Sequence, residues 1–243
     1  MNEKKIIFVS DLHLKGIRDP RMKAFLSFLE QEKTSLSRLV IGGDLFDFWM
    51  GFNAVVFYEY VPVLNKLLEL KEVGVKIDYI EGNHDFSLGP FFTEALKVNV
   101  IKEESMFQLG DFKIYMAHGD EVNRKDYGYL FLRWFLRACF TKALVKFLPP
   151  SWIWKLSQRS SHVSRNYRSA NPKAIQLFRD FARQKLETEN MDVVILGHTH
   201  HPDQQEFMVQ GKKKFYFNTG DWISHFTYLE YDQGIFSLKK FIF

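Results

Sequence analysis

The sequence predicts an α/β fold built around a largely parallel sheet. Short apolar runs, rich in β-branched and aromatic residues, recur along the chain and are typical of buried strands. Helical patterns separate the early runs, and strands that alternate with helices in this way imply right-handed crossovers. The chain has 243 residues, 46% of them hydrophobic, which is enough to bury the core of one large domain or two small ones.

Five of the apolar runs lead into polar sequences rich in Asp, His and Gly. The predicted strands and the polar residues after each are Ile6–Val9 with Asp11-Leu12-His13, Leu39–Ile41 with Gly42-Gly43-Asp44, Ile77–Ile80 with Gly82-Asn83-His84-Asp85, Lys113–Met116 with His118-Gly119-Asp120, and Val193–Leu196 with Gly197-His198-Thr199-His200. In open α/β sheets, the loops beyond the carboxyl ends of the strands build the active site. We therefore expect these five loops to form one site.

Two helices are predicted between the early strands. The first is indicated by apolar residues at 3.6-residue spacing, namely Met22, Phe25, Leu26 and Leu29. A looser pattern of the same kind runs from Val63 to Val73. Later, Phe107–Leu109 and Phe215–Asn218 are each followed by another apolar run with no helix between, which predicts antiparallel strands in the second half.

The segment 121–186 interrupts this scheme because it is helical in character, aromatic and basic. Residues 124–185 hold fourteen basic and two acidic side chains, a net charge of +12, so the remainder carries −8 in a chain of net charge +4. Such a patch indicates an anionic partner: phosphates, a lipid surface or nucleic acid. Nucleic acid is disfavoured, since no recognised basic-aromatic motif accompanies the charge. The alternatives are a solvated basic face and aromatic core packing, and no obligate protein partner is evident.

Cysteine content and hydropathy narrow the class of protein further. The single cysteine, Cys139, excludes an internal disulfide, so the chain needs no oxidising compartment. The short apolar run at Ile6–Val9 is not a signal peptide, and no stretch approaches the roughly 20 apolar residues of a membrane-spanning helix. We expect a cytoplasmic protein, soluble or peripheral to a membrane.

The polar residues at the strand ends are of the types that divalent metal ions prefer. The candidate ligands are Asp11, His13, Asp44, Asn83, His118, His198 and His200. Imidazole and carboxylate suit Mn²⁺, Fe²⁺ and Zn²⁺, and no cysteine lies among them to form a thiolate site. Any one of them alone could be a cap or an ordinary polar residue. As a set they suit two ions with a shared carboxylate, which can clamp a phosphoryl group for hydrolysis.

Taken in order, the five polar sequences resemble the five motifs of the calcineurin-like metallophosphoesterases, and they span residues 11 to 200. This resemblance implies a four-layer αββα sandwich with a two-metal centre. It also implies that Asp44 belongs to both metal sites, one completed by Asp11, His13 and His200 and the other by Asn83, His118 and His198. The expected cofactor is a pair of divalent ions, Mn²⁺, with Fe²⁺ and Zn²⁺ as alternatives.

Within this family the chain is most similar to the UDP-2,3-diacylglucosamine hydrolases of lipid A biosynthesis. The similarity extends to Asp44–Trp49, to Asp85–Gly89 and to Asp126, Gly128 and Tyr129, after which a helical insertion follows. It implies a UDP-linked glycolipid substrate, cleaved to UMP and 2,3-diacylglucosamine 1-phosphate at the inner face of the cytoplasmic membrane. It further implies a single domain, 1–243, whose insertion, 121–186, caps the site and holds the acyl chains. The expected substrate contacts are Asn83, Asp126, Tyr129, Ser161, Arg165, Arg168 and His198.

One position departs from the pattern of the lipid enzymes. They usually carry Arg directly after the motif Asn, and this chain has His84. Most other family members have His there, where it can protonate a leaving oxygen or steady the phosphate, so His84 and the shared Asp44 are the expected catalytic residues. Two alternatives stay open. One is a hydrolase of a nucleotide sugar or another soluble diphosphate, which His84 favours, and the other is a non-catalytic membrane-surface protein.

Overall fold

The computed structural model describes residues 5–53, 55–138, 149, 152 and 171–243. The predicted substrate contacts Ser161, Arg165 and Arg168 lie outside the described residues, as do nearly all residues from 139 to 170 in the middle of the predicted cap.

The first sheet has six strands and carries the N-terminal half of the fold. Its central strands run parallel, and two C-terminal strands add to one edge in antiparallel orientation. In the order in which they are hydrogen-bonded, the strands are β11 (Ile235–Lys240), β10 (Thr227–Asp232), β1 (Lys5–Val9), β2 (Leu36–Ile41), β3 (Lys76–Ile80) and β4 (Asn99–Ile101). The largely parallel sheet predicted from the early strands is confirmed.

The second sheet has five strands and combines both orientations. In hydrogen-bonded order they are β5 (Glu104–Leu109), β6 (Phe112–Ala117), β7 (Val193–Leu196), β9 (Lys212–Asn218) and β8 (Asp203–Val209). β5 with β6 and β8 with β9 form antiparallel pairs, whereas β7 lies parallel to both of its neighbours. The predicted antiparallel strands are therefore present, and β9 and β10 belong to different sheets.

Helices cover the outer face of each sheet. Two of them, α1 (Pro20–Glu32) and α2 (Val61–Glu72), follow β1 and β2, as the periodicity predicts. Asp19 caps α1 by accepting a hydrogen bond from the main-chain N–H of Arg21, and a proline occupies the first turn, where its missing N–H costs nothing. A third helix, α3 (Tyr127–Arg137), and a fourth, α4 (Pro172–Thr188), come from the basic segment.

Three hydrophobic clusters fill the spaces between the layers. Neighbouring strand residues alternate between clusters, as the two-residue period of a strand requires: Ile7 packs in the cluster with α1 and α2, whereas Phe8 packs between the sheets. The third cluster joins Val194 of β7 to Phe178 and Ala182 of α4. Helices, sheet, sheet and helix thus form four layers, which confirms the predicted αββα sandwich.

The helix α4 packs as the outer layer on the second sheet, although the range predicted for the cap, 121–186, includes most of it. Its buried residues Phe178, Ala182 and Leu186 recur at helical spacing and face the sheet. The described part of the predicted cap that stands apart from the sandwich is α3, where Phe131 and Trp134 are 66% and 62% exposed. None of the helices in the described part of the chain has the length and apolar character that crossing a bilayer demands.

Candidate metal centre

All seven predicted ligands lie at the carboxyl ends of strands, where the two sheets present neighbouring loops. Asp11 and His13 follow β1, Asp44 follows β2 and Asn83 follows β3 in the first sheet. From the second sheet, His118 follows β6, and His198 and His200 follow β7. The loops of both sheets therefore contribute to a single site, as the strand-end pattern predicted.

An unusual backbone conformation turns these side chains into the site. Asp11, His13, Asp44, His198 and His200 have φ angles between 46° and 67°, in the left-handed region that non-glycine residues rarely adopt. Each such residue costs on the order of 1 kcal/mol, and such strain persists where the surrounding structure fixes it. Here the N–H groups of Asp11 and His13 donate to the carbonyls of Gly43 and Asp44, at 3.1 and 2.9 Å. These bonds tie the loops after β1 and β2 together.

The first group of candidate ligands gathers around Asp11. Its Oδ1 lies 3.9 Å from Nε2 of His13 and 3.6 Å from Nε2 of His200. The two imidazole rings stack with centroids 4.9 Å apart, so that both nitrogens face the same carboxylate oxygen. These three residues form one of the groups whose ligand atoms could hold a cation.

The second group gathers around His118. Its Nε2 lies 3.2 Å from Oδ1 of Asn83, 3.3 Å from Nδ1 of His198 and 3.5 Å from Oδ2 of Asp44. The other ring nitrogen, Nδ1, donates to the carbonyl of Gly42 at 2.8 Å. That hydrogen bond leaves the lone pair of Nε2 for a ligand, the usual arrangement of a metal-binding histidine.

The carboxylate of Asp44 joins the two groups. Its Oδ2 lies 3.4 Å from Nε2 of His13 in the first group and 3.5 Å from Nε2 of His118 in the second. Oδ2 of Asp44 and Oδ1 of Asp11 are buried and accept no hydrogen bond from the described part of the chain. Ligand atoms about 2.1 Å from one ion lie roughly 3–4 Å apart. The donor types, their spacing and these two buried oxygens all fit a pair of divalent ions.

The buried carboxylates and imidazoles of the site shift each other's pKa values. Burial by itself lowers the pKa of His118, but the carboxylates of Asp44, Asp11 and Asp120 raise it to about 10. Burial by itself raises the pKa of Asp44, but the neighbouring imidazoles of His118, His84 and His13 hold it well below its ordinary value. Two buried carboxylates thus require positive charge beside them, which bound cations supply as well as protons do.

Asp85 stabilises the loop that carries Asp44. This buried carboxylate accepts hydrogen bonds from the N–H groups of Asp44, Leu45 and Gly82 at 3.1, 2.8 and 2.8 Å, and from the hydroxyl of Tyr79 at 2.6 Å. The Asp44 and Gly82 loops approach so closely that a Cβ atom on Gly82 would lie 2.2 Å from Oδ1 of Asp44. Glycine is therefore required there to leave room for the carboxylate.

His84, which stands where the lipid enzymes usually carry Arg, lies at the edge of the first group. Its Nδ1 donates to the carbonyl of Asp47 at 2.7 Å, and its main-chain N–H donates to Oδ1 of Asp44 at 2.8 Å. Its ring meets the ring of His13 edge-on, with centroids 4.6 Å apart. Because Nδ1 is engaged, Nε2 is the nitrogen available for proton exchange.

Of the predicted substrate contacts in the described range, Tyr129 lies beside the site and Asp126 acts as a helix cap. Oδ1 of Asp126 accepts the main-chain N–H of Tyr129 at 3.0 Å and begins α3. The hydroxyl of Tyr129 donates to Oδ2 of Asp120 at 2.8 Å, and its ring centroid is 6.3 Å from that of His198. Nε of Arg133 donates to the same Asp120 oxygen at 2.8 Å, so α3 is attached next to the second group.

Sequence reasoning missed Asp221, which positions a candidate ligand. Its Oδ2 lies 3.3 Å from Nδ1 of His200, and Oδ1 accepts the N–H groups of Ser224 and His225 at 2.9 Å. A carboxylate behind a ligand histidine orients the ring and raises its basicity. The signal was present, because Asp221 follows the carboxyl end of β9 as the other candidates follow their strands.

Arg137 is a second residue that the sequence did not single out. Its guanidinium donates to the carbonyls of Lys102 and Gly82 at 2.9 and 3.3 Å, which links α3 to the loops after β4 and β3. It lies one helical turn from Arg133, so the same face of α3 is fixed at two points.

Known proteins are similar to this chain over most of its length. A model of the calcineurin-like phosphoesterase family matches residues 4–202. A UDP-2,3-diacylglucosamine hydrolase of Pseudomonas entomophila (strain L48) is 28% identical over 239 residues, covering 98% of this chain and 99% of the relative. The protein of the same name from Aliivibrio fischeri (strain MJ11) is 27% identical over 242 residues, covering 97% and 98%. Among solved structures, a predicted phosphoesterase from Streptococcus pneumoniae TIGR4 aligns with a TM-score of 0.43 and 15% identity, covering 98% of this chain and 88% of that one.

Proposed function

The chain belongs to the calcineurin-like phosphoesterase family, and on that premise we propose that it hydrolyses the pyrophosphate bond of UDP-2,3-diacylglucosamine, releasing UMP and 2,3-diacylglucosamine 1-phosphate. The observation that carries the hydrolase assignment is the position of Asp44 Oδ2, within 3.4–3.5 Å of a histidine nitrogen in each ligand group. Near full-length similarity to relatives that bear the name UDP-2,3-diacylglucosamine hydrolase supports the substrate.

The cofactor that we propose is a pair of Mn²⁺ ions. One would be held by Asp11, His13, Asp44 and His200, and the other by Asp44, Asn83, His118 and His198. When bound, two such ions would supply a Lewis acid for phosphoryl oxygens and would lower the pKa of a water molecule. Oδ1 of Asp11 and Oδ2 of Asp44 fit this role, because both atoms are buried and accept no hydrogen bond within the described residues.

His84 is proposed as the proton donor to the leaving phosphate. The hydrogen bond from its Nδ1 to the carbonyl of Asp47 fixes the ring, and the contact with His13 places it at the border of the first ligand group. A proton held on Nε2 would neutralise the charge that develops on the leaving oxygen as the bond breaks.

The helix α3 and the residues after it are proposed to cap the site, hold the acyl chains and rest on the cytoplasmic membrane. Tyr129 and Arg133 attach α3 to Asp120, while Phe131 and Trp134 stay more than half exposed on the helix. Exposed aromatic side chains next to basic residues suit a lipid interface, where rings meet acyl chains and cations meet headgroups. We place Asp126, Ser161, Arg165 and Arg168, together with Asn83, Tyr129 and His198, among the substrate contacts.

Product analysis by ³¹P NMR tests the substrate. The Mn²⁺-loaded enzyme is incubated with UDP-2,3-diacylglucosamine and, as the unacylated control, UDP-N-acetylglucosamine. Release of UMP from the acylated substrate alone is the expected result. Equal cleavage of both would replace the proposal with a general nucleotide-sugar pyrophosphatase, the second candidate, which His84 favours. Cleavage of neither by a metal-loaded enzyme would remove the pyrophosphatase assignment.

Sedimentation with anionic lipid vesicles tests the membrane role of α3. Trp134→Ser should reduce the bound fraction, because it removes a 62% exposed aromatic side chain from the proposed contact face. Met208→Ser is the matched control, since Met208 is 68% exposed on β8 of the sandwich. Equal binding of both variants and the wild type would contradict a membrane contact through α3.

A further inference from the structure

A cavity of about 410 Å³ opens beside the candidate metal centre, on the side away from α3. His13 of the first ligand group and Asp47, whose carbonyl accepts the hydrogen bond from His84, form its inner wall. We propose that this cavity binds the nucleoside monophosphate half of the substrate, an inference that rests on the proposed function. The volume lies within the range of roughly 300–1,000 Å³ that is usual for small-molecule sites.

The position of the cavity follows from the strand order of the first sheet. Its outer walls come from the loop after β1, the start of α1 and the β9–β10 loop, so it lies at the β10–β1 side of the site. The helix α3 lies at the other side, because its arginines bind Asp120 after β6 and the carbonyls of Gly82 after β3 and Lys102 after β4. The two ligand groups lie between the cavity and α3.

A substrate with two unlike ends fits this arrangement. Both ligand groups must face the phosphoryl group under attack. The two arms of the substrate, the nucleoside on one side of the pyrophosphate and the acylated sugar on the other, must therefore extend from the site in different directions. The exposed aromatic residues Phe131 and Trp134 lie on the α3 side and suit an acylated arm. The arm that remains, the nucleoside and its phosphate, is then directed to the cavity beside His13.

The residues that line the cavity match a nucleoside monophosphate in charge and shape. Lys15 brings positive charge for a phosphate, and the guanidinium of Arg21 lies beside it in a salt bridge with Asp19. Ile223 and Phe226 supply apolar surface and a ring for a base. Arg21 is fixed in place before any ligand binds, since its Nε and Nη2 donate to the Asp19 carboxylate at 2.9 and 2.6 Å. Asp19 thereby orients the side chain of Arg21 at the wall of the cavity.

Two variants of the cavity, each with a matched control, test the inference. Ile223→Trp fills the cavity, and Lys15→Ala removes a cation from its wall. Their controls are Ile235→Trp, at a position 66% exposed on β11, and Lys23→Ala, an exposed lysine of α1 that does not line the cavity. For each protein we would measure the KM of the UDP-linked glycolipid, and the Ki of UMP against Mn²⁺-dependent hydrolysis of bis(p-nitrophenyl) phosphate, a diester without a nucleoside.

The expected result is a rise of about tenfold in both the KM of the glycolipid and the Ki of UMP in the two cavity variants. Hydrolysis of the nucleoside-free diester should match the wild type in all four variants, because the ligand groups are untouched. Circular dichroism checks that Ile223→Trp is folded. If Ile223→Trp does not fold, Lys15→Ala still decides the test.

Other outcomes separate this inference from the proposed function. An unchanged Ki of UMP in both cavity variants, with the glycolipid still cleaved, would overturn the nucleotide cavity and leave the pyrophosphatase standing. A higher KM for the glycolipid with an unchanged Ki of UMP would assign the cavity to the acylated arm and also overturn it. A higher Ki of UMP in an enzyme that leaves the glycolipid intact would support the cavity and refute the pyrophosphatase.

Discussion

Replacement of Asp44 by asparagine is the sharpest perturbation of the candidate metal centre. Asp44→Asn keeps the side-chain volume and keeps Oδ1 as the acceptor for the main-chain N–H of His84, which lies 2.8 Å away. The change exchanges Oδ2, the atom between the nitrogens of His13 and His118, for an NH₂ group that cannot bind a cation. Both proposed ion sites lose the same ligand, while the fold around them is preserved.

The size of the effect follows from binding linkage. An ion present at 100 times its dissociation constant stabilises the folded state by about 2.7 kcal/mol. In a protein of this length, 1 kcal/mol moves the melting temperature by roughly 2–4 °C. Two independent ions should therefore raise the melting temperature of the wild type by roughly 10–20 °C. Asp44→Asn should lose most of that rise. Its kcat/KM should fall by more than about 100-fold, because 100-fold is the largest loss usually seen when a residue that only orients a metal ligand is removed.

Scanning calorimetry with and without saturating Mn²⁺ measures the shift, and the diester assay measures the rate. Asp111→Asn is the control, because Asp111 is an exposed carboxylate in the turn between β5 and β6 and undergoes the same change in charge. A full Mn²⁺-induced shift in Asp44→Asn, together with wild-type turnover, would refute the argument that one carboxylate serves two ions.

Three further predictions concern two residues of the site and one ion pair between α4 and β8. Asp221→Asn should weaken Mn²⁺ binding about 10- to 100-fold by titration calorimetry, since the ring of His200 loses the carboxylate 3.3 Å away; unchanged affinity would contradict a positioning role. Gly82→Ala would place a Cβ 2.2 Å from the shared carboxylate, and activity should fall with little loss of helical circular dichroism. Burial opposes the shift, but Arg179 holds the pKa of Asp203 below its ordinary value, so the pair stabilises the fold above about pH 4 and stops doing so as the pH falls through that lower pKa. In urea unfolding, Asp203→Asn should cost up to about 1 kcal/mol at neutral pH and progressively less as the pH falls below about 4; the same cost at neutral and at acidic pH would count against the ion pair.

Much of the fold could be predicted because its signals are local. The alternation of Ile7 and Phe8 between two hydrophobic clusters needs only the two-residue period of a strand, and α1 could be predicted from helical spacing alone. The chemistry of the ligand set was equally local, because Asp and His residues stood directly after predicted strands. The packing of segment 121–186 was harder to predict, because an apolar face on α4 is compatible with covering either the sheet or the active site.

The family resemblance implied the two ligand groups, but the distances between their atoms depend on the tertiary structure. Asp44 and His118 lie in loops of different sheets, and only the way those sheets stack brings their atoms to 3.5 Å. The support of His200 by Asp221, the attachment of Arg133 to Asp120 and the cavity beside His13 are of the same kind.

By itself, then, the sequence determined the order of strands and helices, the strand ends and the residue types that can hold metal ions. Each of these depends on periodicity and composition within a few residues, which a chain carries before it folds. The tertiary structure decided which candidate ligands lie together, which residues orient them and where a cavity opens beside them. Those depend on distances between loops that are remote in the chain, and such distances are set by strand order and sheet packing rather than by local preference.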